Sequence, residues 1–334
     1  MQGLQNIGAT CAINSLIQII CRTKQLREVL LENLDVIPEN SLAYELKDIL
    51  NLMHNNNNSL SPNRFVKKLF KNLNSIFTFG EQIDISELWI FLFNKLSSEV
   101  GKNIIVPSID NVIVNINDIS NNSLSNCNEL KLLCDYKVAI INERKISNWC
   151  DTSTGILLNI LKCNKCNNYI YNFEPFISIY LDIPDDKKIH SLASMFRNFL
   201  NSQVCKDSWM CEKCNEKTEY TKYVKLWKLP PVLIFVINRF SNINMKNTSP
   251  ISINNELCIK KGSVVSSINT EFKYYPTSFG MHYGNLSGGH YCAVCKVDDR
   301  YILYDDLDIR NINKENIKKM FECNKDAYMI IYTL

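Results

Sequence analysis

The stretch GLQNIGATCAINS, Gly3 to Ser15, sets one cysteine behind a Gly-Ala-Thr turn, where apolar residues begin to recur with helical spacing. A thiol is a useful nucleophile as thiolate, and the unpaired N–H groups at a helix start lower its pKa. Cys11 stands at such a start, and Thr10 can cap the helix; a small buried hydrophobe is the other reading of the position. A nucleophile needs a base, and the chain holds four histidines, His54, His190, His282 and His290. His54 adjoins an asparagine tract and His190 follows a charged loop, so both read as solvated surface. His282 and His290 bracket YGNLSGG, a glycine-containing loop able to flex over a site.

His290 opens a strand-like run that Asp298 and Asp299 separate from a second, Arg300 to Tyr304, which reads as a tight hairpin. If Val297 pairs with Arg300, Cys292 lies opposite Asp305, and His290 shares the face of Cys292. His290 and Asp305 are then diagonal neighbours, about 7 to 8 Å apart at the backbone and within side-chain reach. A carboxylate so placed orients the imidazole and fixes its tautomer. Asp306 faces away in this register; a bulged turn would exchange the two.

CNKC (Cys163, Cys166) and CEKC (Cys211, Cys214) are two C-x-x-C pairs with a turn-compatible dipeptide inside each. Together they suit a closed, tetrahedral four-thiolate zinc site of the structural kind. Cys205 replacing one ligand, or four uncoordinated thiols, are the alternatives. Cys292 and Cys295 have the same spacing, but in a strand they point to opposite faces and cannot share a metal.

The elements that must position these groups follow from periodicity. Ile13, Leu16, Ile17 and Ile20 mark one buried helix face, and a helical pattern resumes over Asp84 to Leu96. The polar tract Asn55 to Ser59 reads as an exposed loop. Residues 101–148 give only short β-rich pieces, such as Asn111 to Ile116. Beyond Ile156 strands dominate: Phe176 to Ile183, Glu219 to Lys228, Tyr291 to Val297 and Tyr328 to Tyr332, with Pro231 to Ile237 the unbroken apolar run of a fully buried strand. No internal repeat suggests a solenoid.

A chain of 334 residues, 46% of them hydrophobic, can bury a large core. Its net charge of +3, with no lysine-rich block, argues against a nucleic-acid partner. Residues 13 to 21 are interrupted by Asn14, Ser15 and Gln18 and lack the basic start of a secretory signal. No run approaches the roughly 18 apolar residues of a membrane span. Fourteen cysteines without such a signal point to a reducing compartment, cytoplasm or nucleus.

Jointly these residues resemble the ubiquitin-specific proteases, papain-like cysteine deubiquitinases. The family's cysteine box runs roughly GLxNxGNTCYxNSxLQ; Gly3, Leu4, Asn6, Gly8, Thr10, Cys11, Asn14, Ser15 and Gln18 match it in register. Ala9 stands where asparagine is usual, Ala12 replaces an aromatic beside the nucleophile, and Ile17 replaces leucine. GMHYGNLSGGHYCAVC, followed by YILYDD and AYMIIY, resembles the histidine box, and EQIDISEL the Q-x-D-x-x-E element. KLPPVLIFVINRF is similar to the strand that ends in K-R-F, with Asn238 in place of the lysine.

The resemblance covers nearly the whole chain in the family's order. It implies one α+β catalytic domain over residues 1–334 with a papain-like cysteine protease fold: a helical thumb to about residue 150, zinc-bearing β fingers over 151–225 and a β-sheet palm over 226–334. It implies Cys11 as nucleophile, His290 as general base, Asp305 as its orienter, Asn6 as donor to the oxyanion and Asp306 as an assistant there. Asp84 and Glu87 resemble the acidic pair that grips an arginine of ubiquitin's tail. Gln82, His282, Gly288, Gly289 and Tyr291 are further substrate positions, and Gly284 to Gly289 a gate over the channel.

The implied reaction is hydrolysis after ubiquitin's C-terminal glycine, with ubiquitin and ubiquitinated proteins as partners of a monomer and zinc as a structural ion only. A protease for another ubiquitin-like modifier and a catalytically silent ubiquitin-binding scaffold compete with it. The chain begins almost at the nucleophile box, which fits a minimal enzyme or a trimmed catalytic core.

Overall fold

The apolar spacing after Cys11 forms helix α1 (Cys11–Arg22), whose residues from Cys11 to Cys21 are all buried. A helix enclosed on every side must satisfy its polar side chains internally. Two of them do so by pinning the chain start: Gln18 Nε2 donates to the Gln2 carbonyl at 2.7 Å, and Asn14 Nδ2 to the carbonyls of Leu4 and Gln5. The computed structural model describes all residues except 1, 33–36, 56–59, 74–76, 111, 115, 117, 144, 187, 241–245 and 286–287, and except the side chains of 55, 207 and 208. Most of the Asn55 to Ser59 tract, and the tip of the 284–289 loop, lie outside the described residues.

Around α1 pack α2 (Lys24–Leu31), α3 (Leu42–Asn55), α4 (Asn63–Leu73) and α5 (Ile85–Val100). Asp84 caps α5, its Oδ1 accepting from the N–H groups of Ser86 and Glu87. Helices α6 (Asn121–Ser125) and α7 (Asn128–Ile141) follow, then α8 (Asn148–Ser153). Leu124, Leu130 and Cys134 of α6 and α7 pack on Ile156, Leu158, Ile160, Phe173 and Trp227, the back of the fingers sheet. Helices α6 and α7 therefore pack on the fingers, while α8 returns to the thumb, where Trp149 packs on Trp89 and Phe93 of α5. Of the strand-like piece Asn111 to Ile116, residues 111 and 115 lie outside the described residues and the others form no strand.

The fingers are β1 (Gly155–Cys163), β2 (Tyr169–Phe176), and later β4 (Gln203–Cys211) and β5 (Glu216–Lys228), paired antiparallel in the order β2-β1-β5-β4. Between them the chain crosses to the palm as β3 (Ile179–Asp182) and α9 (Leu192–Phe199). The single strand expected over Phe176 to Ile183 is thus two strands in two sheets.

The palm adds β6 (Val232–Asn238), β7 (Leu257–Ile259), β8 (Phe272–Gly284), β9 (Gly289–Val297), β10 (Arg300–Asp305), β11 (Asp308–Asn311), α10 (Lys314–Glu322) and β12 (Ala327–Thr333). Its order is β11-β10-β9-β8-β12-β6-β3, with β7 paired to β8. Strand β6 shows why its run is unbroken: Val232, Ile234 and Val236 enter the core shared with the thumb, while Leu233, Phe235 and Ile237 enter a second core with α9 and α10. Cys295 and Cys292 divide between the same two cores, as opposite faces require. Among the described residues no helix is long and apolar enough to cross a membrane.

Candidate active site

Gly8 (φ +117°) and Ala9 (φ +51°) swing the chain into α1 through left-handed backbone. Glycine tolerates that conformation and alanine does not, so Ala9 is strained, and asparagine would be the better L-residue there. Thr10 precedes the helix, but its hydroxyl makes no capping bond: it donates to Asn6 Oδ1 and accepts from the Ile7 N–H. The loop, not the helix, uses that side chain. Cys11 follows, 5% exposed. Burial raises its thiol pKa and the Asp306 charge adds to the rise; N–H groups of Tyr291, Ala12 and Cys11 itself act in the opposite sense. Cys11 and Tyr291 share one core, which sets the start of α1 against the strand that His290 opens.

Strands β9 and β10 pair with Val297 opposite Arg300 and Ala293 opposite Tyr304. The turn is the two-residue kind, with Asp298 (φ +47°) and Asp299 (φ +61°) both left-handed. This is the register that sets Asp305 toward His290, and His290 Nε2 lies 2.5 Å from Asp305 Oδ1, both side chains being half-exposed. Asp306 also points into the site: its backbone turns left-handed (φ +50°), bringing its carboxylate within 4.8 Å of His290 and Asp305. There Oδ2 accepts from Asn6 Nδ2 at 2.9 Å and Oδ1 from Asn14 Nδ2 at 2.7 Å. Asn6 Oδ1 in turn accepts from Gly8 N–H, Thr10 N–H and the Thr10 hydroxyl. The amide of Asn6 is thereby locked with its NH₂ toward Asp306 and the cleft. Gly3 lets this turn approach, since a Cβ there would stand 2.7 Å from the Asp306 carbonyl.

At the fingertip the sulfurs of Cys163, Cys166, Cys211 and Cys214 lie within 4.8 Å of one another, a set that could hold a metal ion. Cys205 is not in the cluster; it pairs with Tyr220 along β4. Each pair is followed by a left-handed asparagine, Asn167 (φ +56°) and Asn215 (φ +53°). Their N–H groups return to the Cys163 and Cys211 carbonyls at 3.0 and 2.8 Å. That C-x-x-C-N signal stands twice in the sequence and strengthens the pairing beyond cysteine spacing alone.

The family model for ubiquitin carboxyl-terminal hydrolase matches residues 2–332. The chain belongs to that family. Among its relatives are ubiquitin carboxyl-terminal hydrolase Usp2 of Drosophila melanogaster, 25% identical over 99% of this chain and 34% of that protein, and ubiquitin carboxyl-terminal hydrolase 4 of Arabidopsis thaliana, 24% identical over 99% and 92%. The chain spans between a third and three-fifths of the length of the first two curated relatives it matches. A solved SAGA DUB module, Ubp8 with Sgf11, Sus1 and Sgf73 bound to monoubiquitin, superposes with a TM-score of 0.71 at 20% identity, covering 100% of this chain and 69% of that one. The likeness establishes a shared α+β fold.

In this ubiquitin carboxyl-terminal hydrolase family member the remaining candidate positions divide between the start of α5 and the β8–β9 segment. Asp84 is the cap of α5 rather than a residue within it, and its Oδ2 accepts from the Tyr291 hydroxyl at 3.2 Å. Glu87 is exposed in the first turn, held above the usual carboxylate range by partial desolvation and by the Asp84 charge. Gln82 meets the main chain of Gly289. His282 is 4% exposed inside a ring of Phe240, Tyr291 and Tyr328, and its Nδ1 has no partner. Burial first, and then Lys246, lowers its pKa to about 4, so it is neutral packing under the site. Gly288 donates its N–H to Asn285 Oδ1. The other two histidines stand apart: His54 is exposed at the end of α3, and His190 Nε2 pairs with Asp186 at 2.6 Å.

Asn14 was not among the expected site residues. Its signal, a buried-phase asparagine one turn after the cysteine, is visible only once the helix phase is known.

Proposed function

We propose that this chain is a cysteine-type deubiquitinating hydrolase that cleaves the peptide or isopeptide bond after ubiquitin's C-terminal glycine. The observation that carries the reading is that Cys11, opening α1, packs in one core with Tyr291 of the strand bearing His290, whose Nε2 lies 2.5 Å from Asp305 Oδ1. With Nε2 so engaged, Nδ1 is the nitrogen that accepts the thiol proton. Cys11 Sγ attacks the glycine carbonyl, and charge builds on its oxygen. The second N–H of the Asn6 amide and the N–H groups at the start of α1 are donors for that charge, a role whose loss costs on the order of 3 kcal/mol. His290 then gives the proton to the departing lysine amine, and water cleaves the thioester by the same path reversed.

The four clustered cysteines have the donor chemistry and closed arrangement of structural zinc, which would hold the fingertip rather than take part in the reaction. Glu87 and Asp84 supply negative charge for a basic tail side chain. The enzyme acts as a monomer, in cytoplasm or nucleus, on ubiquitin and ubiquitinated proteins. A ubiquitin probe with a thiol-reactive C-terminus tests this: the wild type forms an adduct on Cys11, and Cys11→Ala forms none. An adduct that persists in Cys11→Ala, or a wild type that reacts only with SUMO-type probes, refutes it.

A further inference from the structure

Gln82 and Asp84 lie on the extended segment leading into α5, on the thumb; Gly289 and Tyr291 lie on β9, in the palm. The Gln82 amide meets the Gly289 main chain twice. Its Nε2 donates to the carbonyl at 2.5 Å and its Oε1 accepts from the N–H at 2.9 Å. Two residues on, in both segments, the Tyr291 hydroxyl donates to Asp84. The pair of contacts holds residues 82–84 alongside 289–291, with His290 between the two clasped positions.

Below Gly289 there is no slack, since a Cβ there would stand 2.1 Å from His282 Nε2. The main chain at 289 is therefore pressed between the buried His282 ring and the Gln82 amide. A primary amide can satisfy one N–H and one C=O together, as a neighbouring strand would. The nucleophile is carried by α1 and the base by β9, so any drift of thumb against palm changes their separation.

We propose that Gln82 is a positioning residue for His290: anchored on the thumb, its amide fixes the main chain of the residue preceding the base and so keeps the imidazole in register with the thiol. The proposal rests on Cys11 and His290 being nucleophile and base, and its test does not depend on the substrate. Q82A removes the amide, and Q82M keeps the side-chain length without either hydrogen bond. Iodoacetamide labelling at neutral pH, mapped by peptide mass spectrometry, reads Cys11 against the exposed Cys258 of the same molecule.

In both variants the Cys11-to-Cys258 labelling ratio should fall about fivefold, and kcat on a ubiquitin C-terminal fluorogenic substrate about tenfold at unchanged KM. The melting temperature should stay within about 2 °C of the wild type, as expected for an exposed side chain. An unchanged ratio and an unchanged kcat overturn the proposal. So does a lower KM, because Gln82 would then be a latch that substrate displaces. A wild type that labels at Cys11 yet leaves the ubiquitin substrate intact refutes the ubiquitin reading, while the labelling ratio still decides the role of Gln82.

Discussion

Asp305 and Asp306 are neighbours in sequence with separate tasks, and a single backbone angle divides them. Asp305 ends β10 and touches the imidazole, whereas the left-handed Asp306 turns its carboxylate to two asparagines, one before Cys11 and one a turn beyond it. Asp305→Asn should lower kcat by roughly 100-fold or more, since an orienting carboxylate fixes the tautomer and stabilises the imidazolium. Asp306→Asn should cost only about tenfold, through a loosened Asn6 amide. It should also move the pH profile of Cys11 alkylation to lower pH, because the Asp306 charge is one of the causes that raise the thiol's pKa. Equal losses of turnover in the two variants would show that the division is wrong. Strand alternation could choose Asp305 over Asp306 and turned Asp306 away; only the family resemblance returned Asp306 to the site, because its placement depends on a turn conformation and on partners 292 and 300 residues away.

At the scale of elements, local pattern was informative wherever one interaction dominated. The apolar run in β6, the two-residue β9–β10 turn and the α1 face were legible because burial or turn chemistry left one solution. Strand β8 escaped notice because its residues alternate imperfectly and are fixed by neighbouring strands; helix α10 carries Ile317, Met320 and Phe321 at helical spacing, but over only nine residues. The two knuckles are the clearest local case. Each is a closed turn with a left-handed asparagine, and their four thiols converge without any long-range apolar packing of their own. Zinc should therefore be held at one ion per chain by elemental analysis. Chelation should raise hydrogen exchange over residues 163–167 and 211–215 while leaving Cys11 alkylation unchanged. A chain with no bound metal, or one whose Cys11 reactivity falls in step with chelation, would count against this division of labour.

The whole molecule is organised about α1, which is buried between the thumb helices and one face of the palm sheet. The palm is braced from behind by Arg239, fully buried, whose guanidinium donates to the carbonyls of Ala327, Asn247, Ser249 and Asn324. Nearby, the Lys246 ammonium reaches the His282 carbonyl and lies 3.6 Å from Asp326. His282 thus sits neutral inside a junction of thumb and palm. Its folded pKa of about 4 lies below the ordinary 6.5, so its contribution to stability is complete above about 6.5 and is lost as pH falls toward 4. Denaturant midpoints should accordingly drop between pH 7 and pH 4.5, and His282→Gln should drop less over that interval; parallel curves would assign the acid sensitivity elsewhere. The sequence by itself determined the cysteine at a helix start, the hairpin that aims His290 at Asp305, the paired cysteines and the family, because these depend on residue type and short-range periodicity. Only the tertiary structure decided that α6 and α7 serve the fingers, that Asp306 and Asn14 frame Asn6, and that Gln82 grips Gly289. Those are contacts between segments whose spacing along the chain carries no period, and their partners are chosen by packing alone.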